Sequence, residues 1–135
     1  MPLLQLTYAS RPFGFDGATL QGILMDARRC NARDGVTGAL ICRDDLFLQM
    51  LEGPEAAVEA TFGRIARDDR HVEVRPLTRR VIGDDGRLFA AWSMRDDPAQ
   101  SWVWSREQVH DGAVERASEG EVMAIFARLA VQPAS

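Results

Sequence analysis

Two amides and one phenol stand where this chain would otherwise be expected to carry apolar side chains. Gln49 lies inside Phe47-Leu48-Gln49-Met50-Leu51-Glu52-Gly53-Pro54, a run that otherwise reads as a buried strand. Alternation puts it on the face of Phe47 and Leu51. Burying an unpaired amide costs about 1–3 kcal/mol, so Gln49 must find partners. A glutamine amide both donates and accepts, and reversing it exchanges the two roles. The position therefore suits a hydrogen-bond switch as well as a satisfied core amide. Tyr8 is the only tyrosine. It falls on one face of the alternating run from Leu3 to Ser10, together with Leu4, Leu6 and Ser10. Asn31 continues the helical stripe Leu20, Ile23, Leu24, Ala27, so a second amide is aimed inward. Each residue also has a plainer role. Tyr8 can be a core tyrosine with a satisfied hydroxyl, Asn31 a helix C-cap, and Trp92 and Met94 packing residues. His71 can sit at a helix end, and Asp68-Asp69 can be a solvated pair.

The elements that must position these groups follow from periodicity. Leu3 to Ser10 is partly apolar on both faces, as in a central strand, and Arg11-Pro12-Phe13-Gly14 ends it. Asp16 can cap a helix running to about Asn31. Val36 to Arg43 and Leu46 to Glu52 read as strands, with a tight turn at Asp44-Asp45. Pro54 opens a second helix at its first position, where a missing N–H is harmless. Val58, Phe62 and Ile65 carry that helix's apolar face, and Asp68-Asp69-Arg70-His71 ends it. Val72 to Ile82 is a fourth strand, Gly83-Asp84-Asp85-Gly86 a turn, and Arg87 to Met94 a fifth strand. The order β-α-β-β-α-β-β predicts an α+β, ferredoxin-like sheet with two helices on one face. After Arg95 the pattern changes to two helical segments, the second opened by a capping box at Ser118-Glu119-Gly120-Glu121 and striped with Val122, Ile125, Phe126 and Leu129. This tail has too few apolar positions to be a domain. It is expected to cover the other sheet face or a partner.

The totals narrow the function. One domain fits 135 residues. A net charge of −4 lacks the basic footprint of nucleic-acid binding, so no nucleic-acid partner is expected. No apolar run reaches the roughly 18 residues of a membrane span, and the N-terminus does not resemble a signal peptide, so a cytoplasmic protein without membrane contact is the expectation. Cys30 and Cys42, with His71 and His110, show no metal-ligand spacing. All the basic residues are arginine, which excludes a Schiff-base lysine and a P-loop lysine. Neither a G-x-G-x-x-G fingerprint nor a G-x-S-x-G elbow is present. The predicted topology instead gathers Tyr8, Ser10, Gln49, Trp92 and Met94 on the sheet face beneath the helices, with Asn31, Asp68, Arg70 and His71 from the helix ends. A pocket between helices with a few convergent polar groups is a reasonable ligand site.

In sequence order, these residues resemble the BLUF family of blue-light sensors using flavin. Leu6-x-Tyr8-x-Ser10-Arg11-Pro12 is similar to the family's opening. Asn31 followed by Gly35-Val36-Thr37-Gly38-Ala39-Leu40, then residues 47–54, Asp69-Arg70-His71 and Phe89-Ala90-Ala91-Trp92-Ser93-Met94 complete a likeness over about residues 3–95. The resemblance implies a photosensory domain over residues 1–95, a C-terminal helical extension over 96–135, and FAD between the two helices. It implies that Gln49 bridges Tyr8 and the flavin, that Ser10 supports Tyr8, and that Asn31 bonds the flavin carbonyl edge. Ile23 and Ile65 would line the cofactor, Asp68 would lie near the ribityl chain, and Arg70 and His71 near the ring or phosphates. Trp92 and Met94 would form the movable strand. Cys30 departs from the Asn or His of many relatives. The implied activity is light-driven electron and proton transfer from Tyr8 through Gln49, with no substrate consumed and no enzyme activity. The implied partners are a downstream protein and, because the tail stripe and the pair Trp102 and Trp104 need cover, a second copy of the chain. The rival readings are a light-insensitive binding module of the same fold and a small flavin-dependent α+β oxidoreductase.

Overall fold

The computed structural model describes residues 3–12, 17–42, 46–67, 71–83, 86–96 and 104–131. Asp16, Asp44, Asp45, Asp68, Asp69, Arg70 and Trp102 lie outside the described residues. The element order is β1 (Leu3–Pro12), α1 (Gly17–Asp34), β2 (Thr37–Cys42), β3 (Phe47–Pro54), α2 (Glu55–Ala66), β4 (His71–Ile82), β5 (Trp92–Asp96), α3 (Arg106–His110), α4 (Ala113–Arg116) and α5 (Glu119–Ala130). The sheet order is β4-β1-β3-β2-β5, with β5 parallel to β2 and the other pairs antiparallel. This is the expected ferredoxin-like plan, extended by a fifth strand at one edge.

β3 is central, and its residues from Phe47 to Gly53 are all buried, because both sheet faces are covered. On one face α1 and α2, the latter through Val58, pack over Leu4, Leu6, Tyr8 and Leu51, continuous with a smaller group of Ile23, Leu40 and Phe47. On the other face Ala39, Ile41, Leu48 and Met50 meet Trp104, Val122, Ile125, Phe126 and Leu129 of the tail. The tail therefore covers the sheet of its own chain. Trp104 is buried, and its indole N–H donates to Glu121 at 3.2 Å. Among the described residues the tail holds three helices rather than the two expected. The extra break falls at Gly112, whose φ of +93° interrupts the chain after α3. Ser105 and Gln108 form a capping box at α3 that the sequence reading passed over. At α5 only half of the expected capping box is formed: Ser118 accepts from the Glu121 N–H, while the Glu121 carboxylate takes the Trp104 indole N–H.

Several boundaries differ from the sequence reading: β1 runs on to Pro12 and β3 to Pro54, and three others have an evident physical reason. α1 continues past Asn31 to Asp34, where Gly35 at φ +72° ends it and the Val36 N–H reaches back to the Asn31 carbonyl at 2.9 Å. That six-to-one bond is a Schellman cap, so Asn31 caps through its backbone and its side chain is left for other work. Pro54 is the N-cap of α2 (φ −54°, ψ 138°), one position before the first helical residue. The fifth strand begins at Trp92, not Arg87, because residues 87–89 are held by Glu52 rather than by a strand ladder. The Glu52 carboxylate accepts the N–H groups of Leu88 and Phe89 at 2.9–3.0 Å.

Candidate functional site

The pairing of β1 with β3 sets Tyr8 directly across from Gln49. Both side chains are buried. The Gln49 Nε2 group donates to the Tyr8 hydroxyl. Its Oε1 accepts from the indole N–H of Trp92 at 2.8 Å. The amide thus uses its donor on one partner and its acceptor on the other. Trp92 reaches it from β5, two strands away, past the position of Gly38 beside it on β2. Position 38 must be glycine, since a Cβ there would collide with the Met50 carbonyl of β3. Tyr8 is further held by the ring of Phe62 on α2, with centroids 5.6 Å apart at a 54° tilt.

A cavity of about 290 Å³ opens between α1 and α2 above this triad. Its floor is Tyr8, Leu40 and Gln49, one wall carries Ile23, Ala27, Cys30 and Asn31, and the other carries Thr61, Arg64 and Ile65. The volume lies at the lower end of the roughly 300–1,000 Å³ usual for small-molecule sites. The Asn31 side chain is 2% exposed, and its Oδ1 has no hydrogen-bond partner in the protein. A buried orphan acceptor on a cavity wall calls for a donor from a ligand. Apolar walls from Ile23, Leu40 and Ile65 suit the faces of a flat ring. The residues present therefore fit a flavin.

Charge is confined to the rim. Arg64 donates to Thr61 Oγ1 at 3.2 Å and lies 3.6 Å from Asp34. Asp34 also takes the Arg33 guanidinium at 2.8 Å, and that hydrogen bond holds its carboxyl below the usual carboxylate range.

Of the residues expected at the site, Tyr8, Ile23, Asn31, Gln49 and Ile65 all line the cavity. Trp92 joins it through Gln49. Met94 is described by its backbone, two residues along β5 and level with Leu40 on β2. Ser10 is buried and pairs with Phe47, but it borders a recess toward the tail rather than the cavity. His71 opens β4. Asp68 and Arg70 fall outside the described residues. Sequence reasoning missed Asp26, Arg29, Thr61 and Arg64 in the cavity wall. Thr61 was recoverable, since it precedes Ile65 by one helical turn and faces the same way.

The fold and site define a class: an α+β domain with a cavity between two helices, floored by a tyrosine–glutamine–tryptophan hydrogen-bond chain. Residues 3–95 match the family described as BLUF, sensors of blue-light using FAD. The chain belongs to this family. It is 38% identical over 97 residues to the photoactivated adenylate cyclase subunit beta of Euglena gracilis, covering 66% of this chain and 11% of that protein. The chain thus spans about a tenth of the length of the curated relatives it matches. Among solved structures it is similar to BlrB, a BLUF protein in its dark state, with TM-score 0.68, 32% identity and 95% of each chain covered. It is also similar to the photo-activated state of BlsA, with TM-score 0.74, 26% identity and 98% of each chain covered. As a BLUF domain it is a sensor of blue light that uses FAD. No helix among the described residues is long and apolar enough to cross a membrane.

Proposed function

We propose that the switch of this sensor is the Gln49 amide and that its output is the release of Trp92. FAD, when bound, supplies the chromophore and, once excited, a strong oxidant. Asn31 would meet its polar edge with Oδ1, and Ile23 and Ile65 would flank the ring. By motif position Asp68, Arg70 and His71 would lie toward its ribityl and phosphate side, with Ser10 behind Tyr8. Tyr8 supplies the electron; its hydroxyl accepts from the Gln49 NH₂ here, so its proton passes to the amide only once Gln49 presents Oε1 to it. Both return, and the amide is left reversed or tautomerised.

The observation that carries this reading is the amide's position between a two-way partner and a one-way partner. A phenol can turn its hydroxyl from accepting to donating, so Tyr8 tolerates a reversed Gln49. An indole N–H only donates. A reversed amide presents its own NH₂ to Trp92, and the two donors separate. Reversal of one buried side chain thus becomes a displacement at the first residue of β5. That strand, carrying Trp92 and Met94, runs toward the tail.

The sensor unit is residues 1–95, and the extension 96–135 relays the change to a partner protein or a second copy of the chain. The chain acts without catalysis of its own, in the cytoplasm. The Euglena relatives are named as cyclase subunits, and a separate effector receiving the signal fits that pairing of sensor and enzyme. The test is the absorption spectrum of the purified protein before and after blue light. A flavin spectrum that moves slightly to the red and recovers in darkness is expected. A colourless protein that stays unresponsive after added FAD would favour the light-insensitive module, and flavin that only bleaches would favour redox turnover.

A further inference from the structure

Glu52 is fully buried three residues after Gln49, and the relay just described does not use it. Alternation puts it on the opposite face of β3, toward the tail. Its carboxylate accepts three N–H groups. Oε1 takes Leu88 and Phe89 at 3.0 Å each, and Oε2 takes Gln5 Nε2 at 2.8 Å and shares the Leu88 N–H at 2.9 Å. Its backbone carbonyl accepts the Arg87 guanidinium at 3.0 Å. Arg87 also donates to Thr37 Oγ1 at 2.7 Å and to the Gly35 carbonyl at 3.3 Å. Glu52 thus bonds all three of residues 87–89, with Thr37 and Gly35 adding to the hold on Arg87. Three residues further on is Trp92.

We infer that Glu52, with Arg87, is the positioning residue that seats Trp92 against Gln49 and so sets the lifetime of the lit state. The inference rests on the proposed role of Trp92. The argument is one of tethering. The segment 87–91 has no strand ladder of its own, so its place relative to β3 comes from the Glu52 and Arg87 bonds and from Phe89, which is buried in the core on the tail side, with the Ala91 carbonyl accepting from Gly38 N–H at 3.3 Å. With 87–89 tied to β3, a displaced Trp92 stays within a few residues of its acceptor and returns as an intramolecular event. With the tether cut, the return must also reorder the free segment, which slows it.

Gln5 sharpens the test. Its Oε1 is buried without a partner. In Glu52→Gln the new amide oxygen can hold Leu88 and Phe89, while its NH₂ donates to Gln5 once the Gln5 amide turns over. The uncharged isostere should therefore restore the tether, whereas Glu52→Ala cannot. If Glu52→Ala does not fold, Arg87→Ala tests the same tether from a side chain nearer the surface.

Two readouts are needed, both on the full chain. The first is dark recovery of the red shift. Glu52→Ala and Arg87→Ala should slow it about threefold or more, Glu52→Gln should lie near wild type, and the slowing should vanish in protein already carrying Trp92→Phe, since the two sites then share nothing to couple. The second is deuterium exchange of the Trp92 indole N–H by NMR in protein kept dark. It should quicken in Glu52→Ala and Arg87→Ala but not in Glu52→Gln. Equal slowing with and without the Trp92 indole, or unchanged indole exchange in both alanine variants, would overturn the inference. If indole exchange responds as stated while no variant nor wild type gives a red shift, the tether stands and the proposed light switch fails.

Discussion

Asn31→Ala should move stability and affinity in opposite directions. In the flavin-free protein the Asn31 Oδ1 is buried and unpaired on the cavity wall. An unsatisfied buried acceptor costs about 1–3 kcal/mol. Alanine removes that penalty and adds a few tenths of a kcal/mol of helix propensity near the end of α1. Lost packing of the amide offsets part of this gain. A net stabilisation of about 1–2 kcal/mol follows, or a Tm increase of roughly 3–8 °C at this chain length. With flavin present the sign reverses, because the variant cannot offer the acceptor. Losing one buried hydrogen bond of about 1–3 kcal/mol weakens FAD binding about 5- to 150-fold. The assays are thermal unfolding of the flavin-free protein and titration of FAD by its fluorescence. A less stable flavin-free variant that binds FAD with wild-type affinity would refute the reasoning. It would mean that the Asn31 oxygen serves the core and not a ligand.

Gln49→Leu should keep flavin bound and abolish the red shift; an intact shift in absorption would remove the amide from the switch. Tyr8→Phe should block the normal photocycle, read by transient absorption, and wild-type kinetics would argue against Tyr8 as donor. Phe126→Ala should cost about 3–5 kcal/mol, because the ring is fully buried between α5 and the sheet; a denaturant melt showing under about 1 kcal/mol would mean the tail is not packed there. Asp34 has its folded pKa lowered by Arg33, so its contribution to stability is present above the ordinary value of 3.8 and is lost as pH falls through the lowered one. Asp34→Asn should remove that part of the acid dependence, and an unchanged stability profile below about pH 4 would show the pairing to be without weight.

Much of the site was readable because its residues violate the patterns around them. Gln49 interrupts a buried strand, Asn31 interrupts an apolar helical stripe, and Tyr8 is the single phenol on an inward face. Periodicity then assigned the faces of Tyr8, Gln49 and Asn31 correctly, since side-chain direction is locked to the residue count in both strands and helices. The errors fell where long-range bonds override local preference. Residues 87–91 read as strand by composition, yet they follow the Glu52 carboxylate, and nothing in a carboxylate at the end of β3 says which distant N–H groups it will meet. The same holds for Arg64, whose place on the rim depends on Asp34 and Thr61. The destination of the tail was left open between the sheet and a partner, because an amphipathic stripe specifies burial but not against what.

By itself the sequence determined the order of elements, which faces are apolar, and that two amides and a phenol point inward. Those properties are set by neighbours three or four residues away. Only the tertiary structure decided that the Gln49 amide spends its donor on Tyr8 and its acceptor on Trp92, and that the Asn31 oxygen is left unpaired. A hydrogen bond is made between atoms within about 3 Å, and Tyr8, Gln49 and Trp92 reach that distance only when β1, β3 and β5 are laid into one sheet.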